Sequence, residues 1–474
     1  MASAMTYIST RGHAPELGFE DVLLRGLAED GGLYVPARWP TLSRDEILAL
    51  RGLGYEDLAF EIMRTFVGGA IDDEDFRRHI AAAYAGFSHP AVTPLMQSGV
   101  DEWILELTHG PTLAFKDVAM QLLGPMMDHV LTARSARATI VCATSGDTGG
   151  AAVDAFAGAD RSDLFVLLPR GRVSAVQRRM MTTHGASNVH ALEIDGNFDD
   201  CQAIVKAMFA NTGFRDKVAL SGVNSINWAR IVAQVVYYFA AALALGAPDR
   251  KISFTVPTGN FGDIFAAYVA RAMGLPIDRL GIATNVNDIL ARTFAAGRHE
   301  MTGVTPTASP SMDIQISSNF ERMVFDLVGR DAEVLRRLMA GLDQSGGFTL
   351  PAPAFAALRA KFDAGRADEA QTAAMIRQVF EEQGVLIDPH TAVALHVARS
   401  QGGQGNRKSP MVVLSTAHAA KFPDAVEAAC GVRPALPPAF DGLMERPEHS
   451  ISLPNDVAAI EAFILAHSRV SRSS

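Results

Sequence analysis

Two glycine-rich segments of the chain each stand between an apolar, β-branched run and a helical run. They read ATSGDTGG at 143–150 and VPTGNFGD at 256–263. Backbone N–H groups of a turn that opens a helix converge on one point, where the helix dipole adds partial positive charge. Each segment therefore predicts a cradle for a phosphate or a carboxylate, and Thr144, Ser145 and Thr148 add hydroxyl donors to the first. The alternative for the first segment is an ordinary capped turn between a strand and a helix.

Lys116 is a candidate nucleophile because of its surroundings in the sequence. It ends the loop segment HGPTLAFK at 109–116 and precedes a strongly apolar helical run, VAMQLLGPMM, at 118–127. Burial lowers the pKa of an amine from about 10.4 and so increases the neutral, nucleophilic fraction. A neutral amine can form a Schiff base with a carbonyl compound. The alternative is a solvated lysine at the start of a helix.

Further candidate groups lie in other segments. The segment LSTAHAAKF at 414–422 continues the apolar run PMVVL, and hydroxyls at such a strand end face the mouth of a sheet, where α/β proteins bind ligands. Candidate acid/base groups are His109, His390 and His418, with structural roles as the alternative. Four arginines, at positions 170, 172, 178 and 179, predict either a solvated face or an anion clamp. We find no HExxH or paired-carboxylate motif and predict no metal site.

The candidate groups lie far apart in the sequence, so secondary-structure elements must bring them together. The chain shows alternating sequence patterns of strands and helices. From about residue 102, β-branched runs are each followed by a glycine-containing turn and an alanine-rich run, which predicts βα units around parallel sheets. The clearest strand predictions are Ala138–Ala143, Asp163–Leu168, Lys251–Val256 and Met411–Leu414. The clearest predictions nearer the termini are a strand at Thr6–Thr10 and helices at Ser43–Leu53, Tyr55–Val67 and Asn455–Ser468.

Composition disfavours several classes of protein. The 474 residues carry 42 Lys and Arg against 52 Asp and Glu, a formal charge of −10, which argues against nonspecific binding to nucleic acid or an anionic membrane. Three widely spaced cysteines, Cys142, Cys201 and Cys430, predict neither a disulfide framework nor a zinc site and indicate a reducing cytoplasm. The apolar stretch Ile231–Ala247 is short and rich in alanine, so we expect a buried core helix rather than a membrane span.

Taken together, the motifs resemble the threonine synthase family of pyridoxal-phosphate enzymes, in the form found in fungi and many bacteria. The resemblance runs nearly end to end through YISTRG at 7–12, HGPTLAFKDVAMQLLG at 109–124, ATSGDTGGAA at 143–152, NSINWARI at 224–231, VPTGNFGD at 256–263, SMDIQISSNFER at 311–322, DPHTAV at 388–393 and LSTAHAAKFPDAV at 414–426. It implies fold type II, the tryptophan-synthase β-subunit type, with two open, mainly parallel α/β domains, helices on both faces and a small, mostly helical N-terminal domain. The predicted divisions are residues 1–90, residues 91–430 with the cofactor between two subdomains, and residues 431–474 as a C-terminal extension with a helix.

The resemblance also implies roles for individual residues. Lys116 would hold pyridoxal 5'-phosphate through a Schiff base and act as the catalytic group. The loop around the cofactor's phosphate would comprise Gly259, Asn260, Phe261, Gly262 and Asp263. Thr416 would offer its hydroxyl to the pyridine nitrogen. The substrate carboxylate and the side of the ring that carries the hydroxyl would meet Thr144, Ser145, Asp147 and Thr148.

The implied reaction converts O-phospho-L-homoserine and water to L-threonine and phosphate, by γ-elimination and then hydration at Cβ, as the last step of threonine biosynthesis. We expect a cytoplasmic monomer or homodimer that takes this small molecule and has neither nucleic acid nor a membrane as partner. A substrate dianion requires charge-assisted hydrogen bonds. We expect these from Arg172 and Ser174, helped by Asn227 or Arg230.

Two alternatives stay open at this point. An amino-acid dehydratase or a β-replacing synthase of the same fold would share the lysine and both anion-binding turns, although the N-terminal extension and the SGDTG and GNFGD forms argue against it. A protein of the same family that binds a ligand without turnover is an alternative of another class. The intact Lys116, Thr416 and both turns argue against that loss.

Overall fold

The computed structural model describes residues 5–402 and 408–472. Its strands are β1 (Tyr7–Ser9), β2 (Tyr34–Pro36), β3 (Leu95–Gln97), β4 (Glu102–Glu106), β5 (Ala138–Ala143), β6 (Ser162–Pro169), β7 (Val189–Ile194), β8 (Leu220–Ser221), β9 (Ile252–Pro257), β10 (Ile277–Thr284), β11 (Arg298–Glu300), β12 (Gly347–Thr349), β13 (Phe362–Arg366), β14 (Met411–Ser415) and β15 (Ile451–Leu453).

Its α-helices are α1 (Phe19–Arg25), α2 (Arg44–Ala49), α3 (Tyr55–Val67), α4 (Asp73–Tyr84), α5 (Lys116–Ala133), α6 (Asp147–Phe156), α7 (Ala175–Thr182), α8 (Phe198–Ala210), α9 (Thr212–Lys217), α10 (Trp228–Ala244), α11 (Gly262–Ala272), α12 (Ile289–Ala296), α13 (Phe320–Leu327), α14 (Ala332–Ser345), α15 (Ala352–Arg359), α16 (Glu369–Gln383), α17 (Pro389–Ser400), α18 (Pro423–Cys430), α19 (Val457–His467) and α20 (Arg469–Arg472). Short 3-10 turns are Pro310–Met312, Ala419–Lys421, Pro438–Phe440 and Leu443–Glu445.

The predicted parallel strands form two separate sheets. The six-stranded sheet has the order β13-β10-β9-β14-β4-β3, and the five-stranded sheet has the order β15-β7-β6-β5-β8. Pairing is parallel throughout both sheets except between β3 and β4. The prediction of mainly parallel α/β architecture is confirmed.

Strands β5, β6 and β9 form where the sequence is predominantly apolar. All residues of β5, β6 and β9 are buried, as expected for parallel strands that are covered on both faces. Because such a run has no polar face, it can be recognised without knowledge of its neighbours. The strand β5 has the predicted bounds, β6 and β9 differ from their predictions by one residue at each end, and β14 extends one residue beyond its prediction.

The apolar stretch predicted as a core helix is α10. Buried residues lie on all sides of this helix, as expected for a helix inside a core. It begins after Asn227, whose side chain accepts a hydrogen bond from the backbone N–H of Ala229 at 3.0 Å. The described residues contain no helix long and apolar enough to cross a membrane. The prediction of a core helix is confirmed.

The N-terminal segment packs around the start of α10. The fully buried Trp228 ring lies 6.2 Å from the ring of Tyr7 and 5.9 Å from that of Phe66, measured between centroids. The Asn227 amide donates to the Leu23 carbonyl at 2.9 Å. Residues of α1 to α4 share one hydrophobic core with α5, α10 and α11. The predicted mostly helical N-terminal unit is therefore part of the scaffold that holds α10, while its boundary at residue 90 stays a prediction.

The segments that carry the candidate chemistry follow adjacent strands. Strand β14 pairs with both β4 and β9, so the carboxyl ends of these three parallel strands lie side by side. The segment after β4 leads to Lys116, the segment after β9 is the turn at 256–263, and Thr416 directly follows β14. The turn at 143–150 follows β5 of the other sheet. A cleft at strand ends is where α/β proteins bind ligands.

Candidate active site

Lys116 is the first residue of α5, and its side chain is only 10% exposed. Its Nζ donates to Asp147 Oδ2 at 3.2 Å and lies 4.7 Å from the centre of the Phe115 ring. Burial lowers the pKa of Lys116, the charge of Asp147 raises it, and the charges of Lys421 and Arg230 lower it further. The net shift is downward, so the structure contains the buried amine that the sequence predicts. The alternative of a solvated lysine is wrong.

Asp147 is the carboxylate at the centre of the site. Its Oδ1 accepts a hydrogen bond from Gln177 Nε2 at 2.9 Å and lies 2.7 Å from Lys421 Nζ. Its Oδ2 accepts from Ser311 Oγ at 3.3 Å. Burial by itself would raise the pKa of Asp147, but the charges of Lys116 and Lys421 hold it well below its usual range. An ionised carboxylate therefore ties the turn after β5 to the six-stranded sheet.

Lys421 is a site residue that the sequence analysis did not single out. It ends the 3-10 turn Ala419–Lys421 and is completely buried. Its Nζ donates to the Thr112 carbonyl at 2.8 Å, in addition to its ion pair with Asp147. The signal that could have identified it is a lysine enclosed by Ala419, Ala420 and Phe422 after a buried strand. Such a lysine has little chance of reaching water.

The turn after β9 has the features of an anion cradle. Its last residue, Phe261, has φ 64° and gives no side-chain cap to α11. The first N–H groups of a helix have no intrahelical acceptor, so those of α11 are available to an anion. The carbonyl oxygens of this turn are already used, since that of Gly259 accepts from Ser317 Oγ at 2.6 Å and that of Asn260 from the Asn319 N–H at 3.0 Å.

Asp263, in the first turn of α11, is held by two tyrosines of α10. Its Oδ1 accepts hydrogen bonds from the hydroxyls of Tyr237 and Tyr238, the latter at 2.7 Å. Its buried Oδ2 has no hydrogen-bond partner among the described residues. Burial raises the pKa of Asp263 to about 6, although the two tyrosine hydroxyls and the charge of Lys116 oppose that shift. Asp263 therefore ties the start of α11 to α10 through the two tyrosine hydroxyls. Its contact with a phosphate stays a prediction.

Thr416 is placed beside Lys116 by backbone pairing. Its carbonyl accepts from the Phe115 N–H at 2.9 Å, and an antiparallel bridge joins Ala114 to Ala417. Thr416 itself is 6% exposed. Two of the predicted segments are thus hydrogen-bonded to each other, whereas the role of the Thr416 hydroxyl stays a prediction.

The turn at 143–150 is capped by its own threonine. Thr144 Oγ1 accepts from the N–H groups of Gly146 at 2.9 Å and Gly149 at 2.8 Å. Ser145 and Thr148, on either side of Asp147, are partly exposed. The capped-turn alternative therefore describes Thr144, while the other two hydroxyls lie where a ligand can reach them.

The residues expected to grip the substrate's phosphate have different surroundings. Asn227 is fully buried, and its amide donates to two backbone carbonyls. Ser174 caps α7 by accepting from the Gln177 N–H at 3.2 Å. Arg230 is buried, which lowers its pKa to about 10, and its Nε has no hydrogen-bond partner among the described residues. Asn227 is thus committed to the scaffold, whereas Arg230 keeps an unused donor.

Three of the four clustered arginines are neutralised by acidic side chains. The pairs are Arg170 with Asp195 at 2.6 Å, Arg178 with Glu193 at 2.8 Å and Arg179 with Glu448 at 3.2 Å. Arg172 is exposed in the segment between β6 and α7 and has no ion pair within the described ranges. The ion pairs leave these three arginines little capacity to act as an anion clamp, and Arg172 is left as the candidate for binding an anion.

The candidate histidines have structural partners. The Nδ1 of the buried His390 lies 2.6 Å from Asp388 Oδ2, and the Nε2 of His109 lies 2.9 Å from Glu106 Oε2. Burial lowers the pKa of His418, whose Nδ1 accepts from a backbone N–H of the following turn. Within the described residues, no group of three or more His, Cys, Asp or Glu side chains could hold a metal ion.

The chain is similar to known proteins over nearly its whole length. The model of the family "Pyridoxal-phosphate dependent enzyme" matches residues 88–417, that of "Threonine synthase N terminus" matches 6–84, and that of "Threonine synthase, C-terminal" matches 391–464. The chain is 51% identical to a threonine synthase of Pseudomonas aeruginosa, over 98% of each chain. The crystal structure of a PLP-bound threonine synthase from Brucella melitensis has 59% identity and a TM-score of 0.95, over 98% of this chain and 100% of the other. The yeast threonine synthase structure has 36% identity and a TM-score of 0.91, over 98% and 99%.

The two parallel sheets, the buried lysine between them and the match over residues 88–417 define a pyridoxal-phosphate-dependent enzyme of fold type II. The end-to-end similarity narrows this class further. The chain belongs to the threonine synthase family. It is a pyridoxal-phosphate-dependent lyase of amino-acid biosynthesis.

The residues present fit this cofactor. An aldehyde requires an amine that is neutral part of the time, and Lys116 is buried with a lowered pKa. A phosphate requires donors and close backbone approach, and the turn before α11 offers the uncapped helix start. A Cβ at Gly259 would lie 2.5 Å from the Ser311 carbonyl oxygen, so only glycine fits there without movement. The charge of Lys116 opposes the rise in the pKa of Asp263 at the start of α11, so the amine and this turn interact electrostatically.

Gly259→Ala is expected to weaken cofactor binding by about 10- to 100-fold. Overpacking typically costs about 1–3 kcal/mol, and each 1.4 kcal/mol is about tenfold in affinity. Titration of the apoenzyme with pyridoxal phosphate, followed by absorbance, measures the effect. Gly86→Ala is the control, because a Cβ there meets nothing within 4 Å. Equal dissociation constants for the two variants would contradict the steric argument.

Proposed function

We propose that Lys116 holds the cofactor and moves the protons in the conversion of O-phospho-L-homoserine and water to L-threonine and phosphate. The carrying observation is the buried Nζ of Lys116, which donates to Asp147 of the first glycine-rich turn at 3.2 Å. At a pKa of about 10.4 an amine is neutral in about one molecule in 2,500 at pH 7. The lowered pKa of Lys116 increases that fraction, which proton transfer near neutral pH requires.

The reaction breaks the Cγ–O bond of the substrate and releases phosphate. A hydrogen replaces the phosphate at Cγ, and the hydroxyl of water replaces a hydrogen at Cβ. The cofactor, when bound, supplies an aldehyde for the substrate's amine and a conjugated ring that accepts electron density. Lys116 Nζ would remove the proton from Cα and then assist removal of a proton from Cβ. The amine must shed each proton again, so a pKa near the working pH favours both directions of transfer.

The other predicted site residues would bind and orient the cofactor and the substrate. Ser145 and Thr148 would donate to the substrate's carboxylate from the start of α6, with Thr144 and Asp147 shaping that turn. Residues 259–263 would hold the cofactor's phosphate at the start of α11, and the Thr416 hydroxyl would face the pyridine nitrogen. A neutral hydroxyl does not enforce protonation of that nitrogen, so the ring would be a moderated electron acceptor.

Borohydride reduction of the holoenzyme followed by peptide mapping tests the assignment of Lys116. We expect the reduced cofactor on the peptide that contains Lys116; cofactor recovered on another lysine would overturn the assignment. The purified enzyme is expected to release phosphate and threonine from O-phospho-L-homoserine. Release of ammonia from serine or threonine at a higher kcat/KM would instead favour a dehydratase.

The substrate's phosphate would be held by Arg172 and Ser174, with help from Arg230. Arg172 is exposed and free of an ion pair within the described ranges, and Ser174 retains a hydroxyl proton while its oxygen caps α7. Hydrogen bonds to charged groups contribute about 1.5–3 kcal/mol. Arg172→Ala is therefore expected to lower kcat/KM for phosphohomoserine by about 10- to 100-fold. Arg170→Ala is the control in the same loop, since Arg170 is already paired with Asp195.

Unchanged KM and kcat in Arg172→Ala would remove Arg172 from the proposal. We also propose that the enzyme is a cytoplasmic monomer or homodimer and that its chain divides at residues 90 and 430. Light scattering of the holoenzyme checks the oligomeric state.

A further inference from the structure

Two lysine amines share one buried carboxylate. Lys421 Nζ lies 2.7 Å from Asp147 Oδ1, and Lys116 Nζ donates to Asp147 Oδ2 at 3.2 Å. Lys421 is fully buried and Asp147 is 3% exposed. Buried charges require partners because water does not solvate them. Two cations on one anion leave a net positive charge. This charge favours the loss of a proton from one of the two amines.

The hydrogen bonds decide which amine that is. Lys421 donates to two acceptors, Asp147 and the Thr112 carbonyl, at 2.7 and 2.8 Å. Among the described residues, Lys116 donates to one acceptor, Asp147 Oδ2, at 3.2 Å. Loss of a proton from Lys116 relieves the repulsion between the amines and leaves the Lys421–Asp147 ion pair intact. Loss of a proton from Lys421 would break the shorter of the two contacts with Asp147.

We propose that Lys421 is a positioning residue that keeps Asp147 ionised and oriented and thereby makes Lys116 the amine that exchanges its proton. This inference rests on the proposed role of Lys116. The ordinary alternative is that Lys421 only stabilises the fold by pairing with Asp147. The two differ in one observable, because a purely structural lysine would not change the protonation of Lys116.

Other charged groups face this cluster, and they are the same in every variant below. Arg230 of α10 adds a positive charge near Lys116, and Cys142 of β5 and Asp263 of α11 interact electrostatically with Lys116. Around the other two members, His390 of α17 acts on Asp147, while Lys421 acts on Asp117 of α5 and on His418. Changes between variants therefore report on Lys421 and Asp147.

The test measures the protonation of Lys116 in the apoenzyme. The rate at which an amine reagent such as acetic anhydride labels Lys116 is followed against pH by peptide mapping, since only the neutral amine reacts. Lys421→Met is expected to move the labelling midpoint up by one pH unit or more, which slows labelling at pH 7 at least tenfold. Lys421→Arg keeps the charge and is expected to stay closer to the wild type. In the holoenzyme, Lys421→Met is expected to shift the rising limb of kcat to higher pH with little change in KM.

The same comparison in the Asp147→Asn variant distinguishes a positioning role of Lys421 from a purely structural one. Asp147→Asn leaves both amines without the carboxylate and is expected to move the Lys116 midpoint down. The double variant D147N/K421M is expected to bring it up again, and this comparison also serves if Lys421→Met alone fails to fold. An equal midpoint with and without Lys421, in both backgrounds, would overturn the proposal.

A variant at another buried ion pair is the control for loss of stability. Arg399 pairs with the fully buried Glu102 at 3.0 Å in the six-stranded sheet region. Arg399→Met is expected to lower the Tm of the apoenzyme and to leave the Lys116 midpoint in place. A similar midpoint shift in Arg399→Met would assign the effect to destabilisation and would also overturn the proposal.

Discussion

Lys116→Ala is expected to lower kcat for phosphate release by about 10³- to 10⁴-fold at neutral pH. Positioned acid/base groups contribute about 10²- to 10⁴-fold, and Lys116 is proposed to act at two carbons of the substrate. The variant also loses the amine that holds the cofactor, so its absorbance spectrum and cofactor affinity are expected to change. The measurement is phosphate release from O-phospho-L-homoserine at saturating cofactor.

The fold is expected to survive this change. Removal of Lys116 leaves Asp147 paired with Lys421 at 2.7 Å, so no charge is buried without a partner. The Tm of the apoenzyme should therefore stay near that of the wild type. Lys251→Ala, at an exposed position before β9, is the matched control and should retain activity. Phosphate release by Lys116→Ala at a rate close to that of the control would be incompatible with the proposed function.

Of the substitutions proposed here, Asp147→Ala is expected to lower the free energy of unfolding the most. It leaves the amines of Lys116 and Lys421, both buried, without their carboxylate partner. Breaking a buried ion pair by removal of one partner costs about 3–5 kcal/mol. Urea unfolding of the apoenzyme measures the loss. Asp154→Ala is the control on the same helix, because the partly buried Asp154 pairs with the neutral Gln121 at 2.8 Å and its removal should cost less.

The stability difference between the wild type and Asp147→Ala also has an expected pH dependence. Although burial opposes it, Lys116 and Lys421 hold the pKa of Asp147 well below its usual value of 3.8. A carboxyl with a depressed pKa stabilises the fold above its unfolded-state pKa, and that stabilisation is lost as the pH falls through the folded-state pKa. The difference should therefore be constant from pH 7 to about pH 5 and shrink below about pH 4. A difference that grows on acidification would contradict the assignment of Asp147 as the ionised partner.

Local signals in the sequence were sufficient for the strands and turns that carry the site. Strand β5 and the glycine-rich turn after it could be predicted because a buried parallel strand is apolar along its whole length. Strand β10 could not, because Asp278 and Arg279 interrupt its apolar pattern. Pairing with β9 on one side and β13 on the other makes that segment a strand. The residues that make β10 a strand therefore lie in other parts of the chain.

In the site, too, some features follow from the local sequence and others depend on residues far away in the chain. The predictions of Lys116 and of the two turns as candidate site elements follow from residue types and from neighbours a few positions away. The partner of Lys421 cannot be found in this way, since its hydrogen bond to Thr112 spans 309 residues of the chain. Likewise Arg170 and Arg172 look alike in the sequence, and the position of Asp195 distinguishes them by pairing with one of the two.

The sequence by itself determined the class of fold and predicted the candidate lysine and the two turns proposed to bind anions, because each depends on short-range patterns of apolar residues, glycine and helix starts. The tertiary structure decided the electrostatics. Whether Lys116 is neutral, whether Asp147 is ionised and whether an arginine is free depend on charges within a few ångströms and on the exclusion of water. Those distances are set when the two sheets and the N-terminal helices pack together. The protonation states of the site residues are therefore a property of the folded chain.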